Sequence, residues 1–332
     1  MQHAFGRSLT LGVEEELFLV DRATLALRSG ASLIVEHPPT KQLKYELFEC
    51  LVETATPVCE SVEELADVLP RQRRVVAERA EPHGLRVHAA AMHPFSRGAD
   101  QEIVPEPRYW KMKAEVGPDI FRQLVCGLHV HVGMPDPEAC LRALEGVLRW
   151  LPEVLSLSAN SPYRDGEESG LRSSRARRLG ELPRSAAPPV FRSWADWEEH
   201  TAGRDYTRMW WDVRPHPRLG TLEVRIADQQ TDVGRAAAFA ALLQALAAEA
   251  IESSPETVDR DDYLRRRKLA AAEPLPTDAL AAAAAPAAAT LGTTEFVDGL
   301  LASPSEVDRQ LEVGRAEGVE AVAADIVERS GG

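Results

Sequence analysis

Between residues 9 and 20 the chain reads LTLGVEEELFLV, with polar positions alternating among large apolar and β-branched ones. A period of two predicts a half-buried strand, and it sets Glu14 and Glu16 on one face. Residues 85–92 and 124–132 read as further strands, the second carrying His129 and His131 on a common face. Residues 209–214 and 221–227 are two short apolar stretches joined by Pro-His-Pro-Arg-Leu-Gly. That arrangement predicts an antiparallel hairpin in which Glu223 and Arg225 point the same way.

Elsewhere the spacing is helical. Ser61 and Glu64 read as a capping box, followed by an apolar stripe of Leu65, Val68, Leu69, Val75 and Val76 that Pro70 disturbs. Asp136 and Pro137 start a second helix, whose stripe of Leu141, Leu144, Leu148 and Leu151 ends at Pro152. An alanine- and leucine-rich helix runs from Val233 to about residue 251, and beyond Asp278 comes a low-complexity alanine tail broken by Pro286. Residues 160–192 are punctuated by Asn-Ser-Pro, Asp-Gly, Leu-Gly and Pro-Pro and crowded with arginine, which predicts a loop able to cover a site. Self-similarity at a fixed period is absent, which sets aside solenoids and propellers.

A length of 332 residues suits one large catalytic domain spanning 1–332, and 44% hydrophobic residues supply its core. The net charge of −14 argues against a nucleic-acid partner, because such binding relies on clustered positive charge to release counterions. Small substrates are expected instead. Cys50, Cys59, Cys126 and Cys140 show no CxxC spacing, which fits reduced thiols in cytoplasm. The first residues lack a basic stretch leading into an apolar core, so no export signal is expected. The longest apolar run, residues 236–248, includes Gln244 and falls short of the roughly 18–20 residues that span a bilayer.

The candidate chemistry lies in three motifs with two-residue spacing: Glu14 with Glu16, His129 with His131, and Glu223 with Arg225. Each alone is ordinarily a solvated or structural face. Together on one sheet they offer carboxylates and imidazoles to a hard or intermediate cation, and Glu46 and Glu53 extend the set. Two or more magnesium or manganese ions held by glutamates form a receptacle for the phosphates of ATP. Arg164, Arg172, Arg175, Arg214 and Arg225 are candidates to neutralise a γ-phosphoryl group or grip a substrate carboxylate. Arginine far outnumbers lysine in this chain, so only Arg225, two residues from Glu223, stands out. No Gly-Lys dipeptide and no GxGxxG occurs, so a nucleotide would not be held by a Walker-type or Rossmann loop. GxSxG and HExxH are absent as well. The same His and Glu residues could hold one zinc for amide hydrolysis, or the fold could bind a ligand without turnover.

The stretches LGVEEELFLVD, YELFECLVETATPVC, CGLHVHVGMPD, LSANSPYRDGEESGLRSSR, LPRS and DVRPHPRLGTLEVRIAD cover residues 10–228. In order and spacing they resemble carboxylate–amine ligases related to type 2 glutamate–cysteine ligases, distant relatives of glutamine synthetase. The resemblance implies an α+β fold: a curved, mainly antiparallel sheet forming a cup, flanked by helices, with residues 229–332 as a helical, alanine-rich part. It implies ATP and Mg2+ (or Mn2+) as cofactors. Glu14, His129 and Glu223 would hold one ion near the phosphates, and Glu16, Glu46 and Glu53 another near the carboxylate substrate. Arg225 would contact the γ-phosphate; Arg164, Arg175 and Arg214 would serve substrate or nucleotide; His131 would meet substrate. The implied reaction transfers the γ-phosphoryl group to a carboxylate, glutamate by default, before attack by cysteine or another amine. Soluble enzymes are commonly symmetric oligomers, which makes a homodimer the expectation.

Overall fold

The computed structural model describes residues 3–36, 38–182 and 185–331. The alternating run becomes β1 (Leu11–Asp21), whose burial alternates over its first half and is then continuous. Around it lie β2 (Leu43–Tyr45), β3 (Leu51–Ala55), β4 (Leu85–His88), β5 (Leu128–Gly133), β8 (Val213–His216) and β9 (Thr221–Val224), while β6 (Tyr163–Arg164) and β7 (Glu167–Glu168) form a separate small hairpin. The seven-stranded sheet runs β2-β3-β1-β5-β9-β8, with β4 also paired to β1. Each of these pairings is antiparallel.

Both β4 and β5 are shorter than their apolar runs, and the registers show why. β5 pairs with β1 up to Leu128 opposite Glu15, and β4 takes over from His88 opposite Phe18. The two share one edge of β1, so neither can continue without entering the other's place.

The back of the sheet is apolar. Val13, Leu128, Val130, Val132, Val213, Leu222 and Val224 belong to one buried cluster with the helices Val62–Ala80, Pro137–Leu148 and Val233–Glu252. Ser61 caps the helix by accepting from Glu64 N at 3.2 Å, while Glu64 reaches one residue further back than a capping box requires and accepts from Glu60 N at 2.8 Å; the helix runs through Pro70. Asp136 caps its helix through Ala139 N at 2.7 Å. The alanine- and leucine-rich helix forms where its sequence predicts, over Val233–Glu252. Its 20 residues are long and apolar enough to cross a bilayer, yet most of the span is buried inside the protein as its central helix.

A charged pair interrupts the apolar back. Glu15 and Arg73 are both fully buried and ion-paired, and Arg73 also donates to the carbonyls of Thr231 (2.6 Å) and Gln230 (2.7 Å). Gln229 Nε2 donates to Glu15 at 2.7 Å. A buried pair is tolerable only when its remaining donors and acceptors are met this way.

Residues 160–192 are more ordered than their turn residues predict. Besides the β6–β7 hairpin they contain the helix Ser174–Gly180, and Asp228 accepts from Asn160 N, Ser161 Oγ and Ser173 Oγ at 2.8–2.9 Å. Pro183 and Arg184 of the LPRS stretch lie outside the described residues. The alanine-rich tail forms the helices Asp278–Leu291, Thr294–Ala302, Glu306–Glu317 and Val319–Arg329, with Pro286 inside the first. It packs back on the rest: Ser330 Oγ accepts from Ala89 N at 2.9 Å, just beyond β4.

Candidate active site

The front of the sheet carries the chemistry, because cross-strand partners share a face. Lys44 is in register with Glu53, and Glu53 with Glu16. Glu14 lies opposite His129. Gly12, His131, Glu223 and Arg214 form a third row. Segments distant in sequence thus deliver four glutamates and two histidines to one surface, and Glu46 follows directly after β2.

Glu14 is the shared corner. His129 Nδ1 lies 3.3 Å from Glu14 Oε2 and its Nε2 3.8 Å from Glu16 Oε1. His131 Nε2 lies 3.8 Å from the same Glu14 oxygen, while its Nδ1 bonds Thr221 Oγ1 at 2.9 Å. One ligating atom each from Glu14, His131 and Glu223 lie within 4.8 Å of one another. The register therefore differs from the grouping the family resemblance implies: His131, directly opposite Glu223, joins that trio, and His129 stands between Glu14 and Glu16. His131 Nε2 is buried without a hydrogen-bond partner, an unmet valence that suits a ligand.

Glu14, Glu16, Glu46, Glu53, His129, Arg175 and Arg225 line one cavity of about 200 Å³, walled by Met112, Val125, Leu179, Trp210 and Trp211. Burial and the neighbouring Glu16 push the Glu46 carboxyl up to about 7, and burial with Glu14 pushes Glu53 up to about 8. Burial raises Glu16 also. Burial and Arg225 lower His129 to about 4, leaving it a neutral imidazole at neutral pH. At Glu223 burial is outweighed by Arg225 and Arg214, which hold the carboxyl well below its usual range. Glu16 Oε2 accepts from Gly127 N at 2.6 Å. A Cβ at Gly127 would come within 2.3 Å of Arg175 Nη2, so a larger residue there would push the guanidinium from its present place.

The arginines divide by position. Arg225 pairs with Glu223 and faces the cavity. Arg214 stands behind Glu223, donating to it at 2.6 and 3.1 Å and to the carbonyls of Thr207 and Met209. Its donors are engaged, which makes it an orienting group for Glu223. Arg175 lines the cavity while donating to the carbonyls of Ile226 and Arg225 at 3.0 Å. Arg164 is the outlier: it lies exposed on the β6–β7 hairpin, 3.7 Å from Asp165, and does not line this cavity. Arg172 is turned to Asp308 of the tail at 2.9 Å.

Residues that the motifs did not flag complete the picture. Lys44 Nζ lies 3.3 Å from Glu14 Oε1 and also pairs with Glu53. Its signal was available in Lys44-Tyr45-Glu46, but a strand of three residues is too short for periodicity to reveal. A second cavity of about 330 Å³ shares Glu14 with the first and is lined also by Lys44, Arg7, Thr10, Lys41, His131 and Thr221 among apolar Val13, Pro57, Val58 and Leu219.

Comparison with known proteins places the chain in a family. The model of glutamate-cysteine ligase family 2 matches residues 10–321. A Rubrobacter xylanophilus protein with the provisional name glutamate–cysteine ligase 2-3 is 45% identical over 269 residues, 77% of this chain and 74% of its own length. A Herpetosiphon aurantiacus protein with the provisional name glutamate–cysteine ligase 2 is 38% identical over 247 residues, 71% of this chain and 64% of its own. Among solved structures, a bifunctional glutathione synthetase from Pasteurella multocida has a TM-score of 0.78 at 15% identity, covering 97% of this chain and 52% of that one. Glutamate–cysteine ligase from Francisella tularensis, in complex with AMP, has a TM-score of 0.72 at 12% identity, covering 98% of this chain and 89% of that one. At such identities the structures show the shared fold, and the sequence match supplies the rest: this chain belongs to glutamate-cysteine ligase family 2.

Proposed function

We propose that the protein is an ATP-dependent carboxylate–amine ligase that joins glutamate to cysteine or another amine as a γ-glutamyl amide. The observation that carries this reading is a surplus of half-buried carboxylates: Glu14, Glu16, Glu46 and Glu53 surround one small cavity. Desolvated acids at this density favour cations, and oxygen donors with one imidazole suit magnesium or manganese. Glu14, Glu223 and a histidine would hold one ion; Glu16, Glu46 and Glu53 would hold another. Bound there, the ions would supply charge neutralisation for the phosphate chain.

The two cavities suggest the division of substrates. The larger has apolar walls and a basic rim of Arg7, Lys41 and Lys44, which suits a nucleotide base and its phosphates. The smaller, polar one suits an amino acid. ATP and carboxylate would then meet at Glu14, the wall common to both. The substrate carboxylate attacks the γ-phosphorus, ADP leaves, and the amine attacks the acyl phosphate, losing a proton as phosphate departs. Arg225 would meet the transferring group, and Arg214, paired with Glu223, would keep that carboxylate ionised and aimed. We read the whole chain as one catalytic unit acting on small molecules in the cytoplasm, where its four free cysteines stay reduced.

The test is phosphate release from ATP and Mg2+ with glutamate, screened against a panel of amines that includes cysteine, with Glu223→Ala as control. Release with one pair, lowered at least about a hundredfold in the control, supports ligation and names the substrates. Absence of release with any pair, together with an unchanged melting temperature on adding MgATP, points instead to amide hydrolysis, whereas a shifted melting temperature without release points to binding alone.

A further inference from the structure

The cations of the front face are not equally fixed. Arg214 is clamped by Glu223 and backbone carbonyls, Arg175 by two carbonyls, and Arg225 by Glu223. Lys44 is held differently. Its side chain is 34% exposed, and its ammonium group is shared between Glu14 on β1 and Glu53 on β3. Lysine is a compact charge on a flexible stem with freely turning donors, so it changes partners more readily than a clamped guanidinium.

Its position gives this freedom a direction. Glu14 and Glu53 line the acidic cavity, whereas Lys44 lines the larger cavity beside Lys41, Arg7 and His131. The ammonium group thus stands in the wall between the two, neutralising carboxylates that would otherwise repel each other. A divalent ion on Glu14 or Glu53 would face that ammonium at contact distance. Like charges so close, partly desolvated, repel by more than one hydrogen bond returns. The open side is the cavity whose basic rim suits phosphates.

We propose that Lys44 is a stand-in cation: it bridges Glu14 and Glu53 in the ligand-free protein, yields them to a divalent ion, and turns into the neighbouring cavity to bind the phosphate chain of a nucleoside di- or triphosphate. This rests on the ligase reading above, and it adds a residue with two alternating partners. The exchange couples ion and nucleotide, since each arrival leaves the lysine one partner.

The test uses the full chain, Mn2+ alone read by the paramagnetic signal of the free ion, and ADP read by calorimetry in saturating Mg2+. Lys44→Met is expected to bind Mn2+ alone several-fold more tightly than wild type, because the ion no longer displaces an ammonium group. It is expected to bind ADP about tenfold more weakly, for loss of one charge-assisted contact. Lys44→Gln, which keeps the stem and a donor, must show the same opposite changes, and Lys44→Arg must recover part of the ADP affinity. A residue that only props up the sheet would weaken both ligands together. That result in both neutral variants overturns the proposal, as does unchanged ADP affinity. Failure of wild type to bind ADP with Mg2+ would remove the ligase reading itself, whereas binding by wild type that Lys44→Met leaves unaltered removes this inference alone.

Discussion

At the scale of residues, alternation made the front face legible. A strand turns each side chain by half a revolution, so the common faces of Glu14 with Glu16 and of His129 with His131 follow from local spacing. Which histidine stands beside Glu223 does not, because that depends on the register between β5 and β9, and the two strands lie about ninety residues apart. The carboxylates also carry a pH signature. Glu46 is lifted to about 7 and Glu53 to about 8, by burial first and by neighbouring acids second, from an unfolded value of 4.5. In that window the folded protein keeps protons that the unfolded chain has lost, so metal-free stability falls as pH rises from 4.5 and levels off above about 8. Divalent ions need the ionised carboxylates, so Mn2+ affinity should rise over the same range, with protons released on binding below about pH 8. Calorimetry in buffers of different ionisation heat measures both. Metal affinity flat from pH 5.5 to 8, with no proton release, would exclude Glu46 and Glu53 from the ion site.

At the scale of elements, strands and capped helices were legible where their signals are local, as with Ser61 and Asp136. Residues 160–192 were not, because their order comes from Asp228, far along the chain, which gathers Asn160, Ser161 and Ser173. The Glu15–Arg73 pair is equally non-local. It joins the strand that bears Glu14 and Glu16 to the helix Val62–Ala80 and to the segment after β9. Arg73→Ala leaves a buried carboxylate and two carbonyls unmet, and it should cost about 3–5 kcal/mol of unfolding free energy in a denaturant titration. A loss under about 1 kcal/mol would mean that the network relaxes or takes in water, and that it does not fix the site's strands.

At the scale of the molecule, composition left the alanine-rich tail without a role, since its helices are defined by what they pack on. Gln310 donates to Asn160 at 2.6 Å, Asp308 accepts from Arg172, and Ser330 holds Ala89. These contacts tie the tail to β4 and to the segment that supplies Arg175. Truncation after residue 304 is therefore expected to lower the melting temperature and to speed amide exchange in residues 85–91 and 160–175, ahead of the central helix. Unchanged protection there would make the tail an independent appendage.

The central claim is that a carboxylate is activated by phosphoryl transfer on the acidic face of the sheet. The most direct measurement supplies glutamate with its side-chain carboxylate labelled by 18O, together with MgATP and the amine panel, and reads the label in the phosphate released. The account predicts one labelled oxygen in each phosphate formed with the productive amine. Phosphate released without label, or amide cleavage that proceeds without ATP, would contradict it.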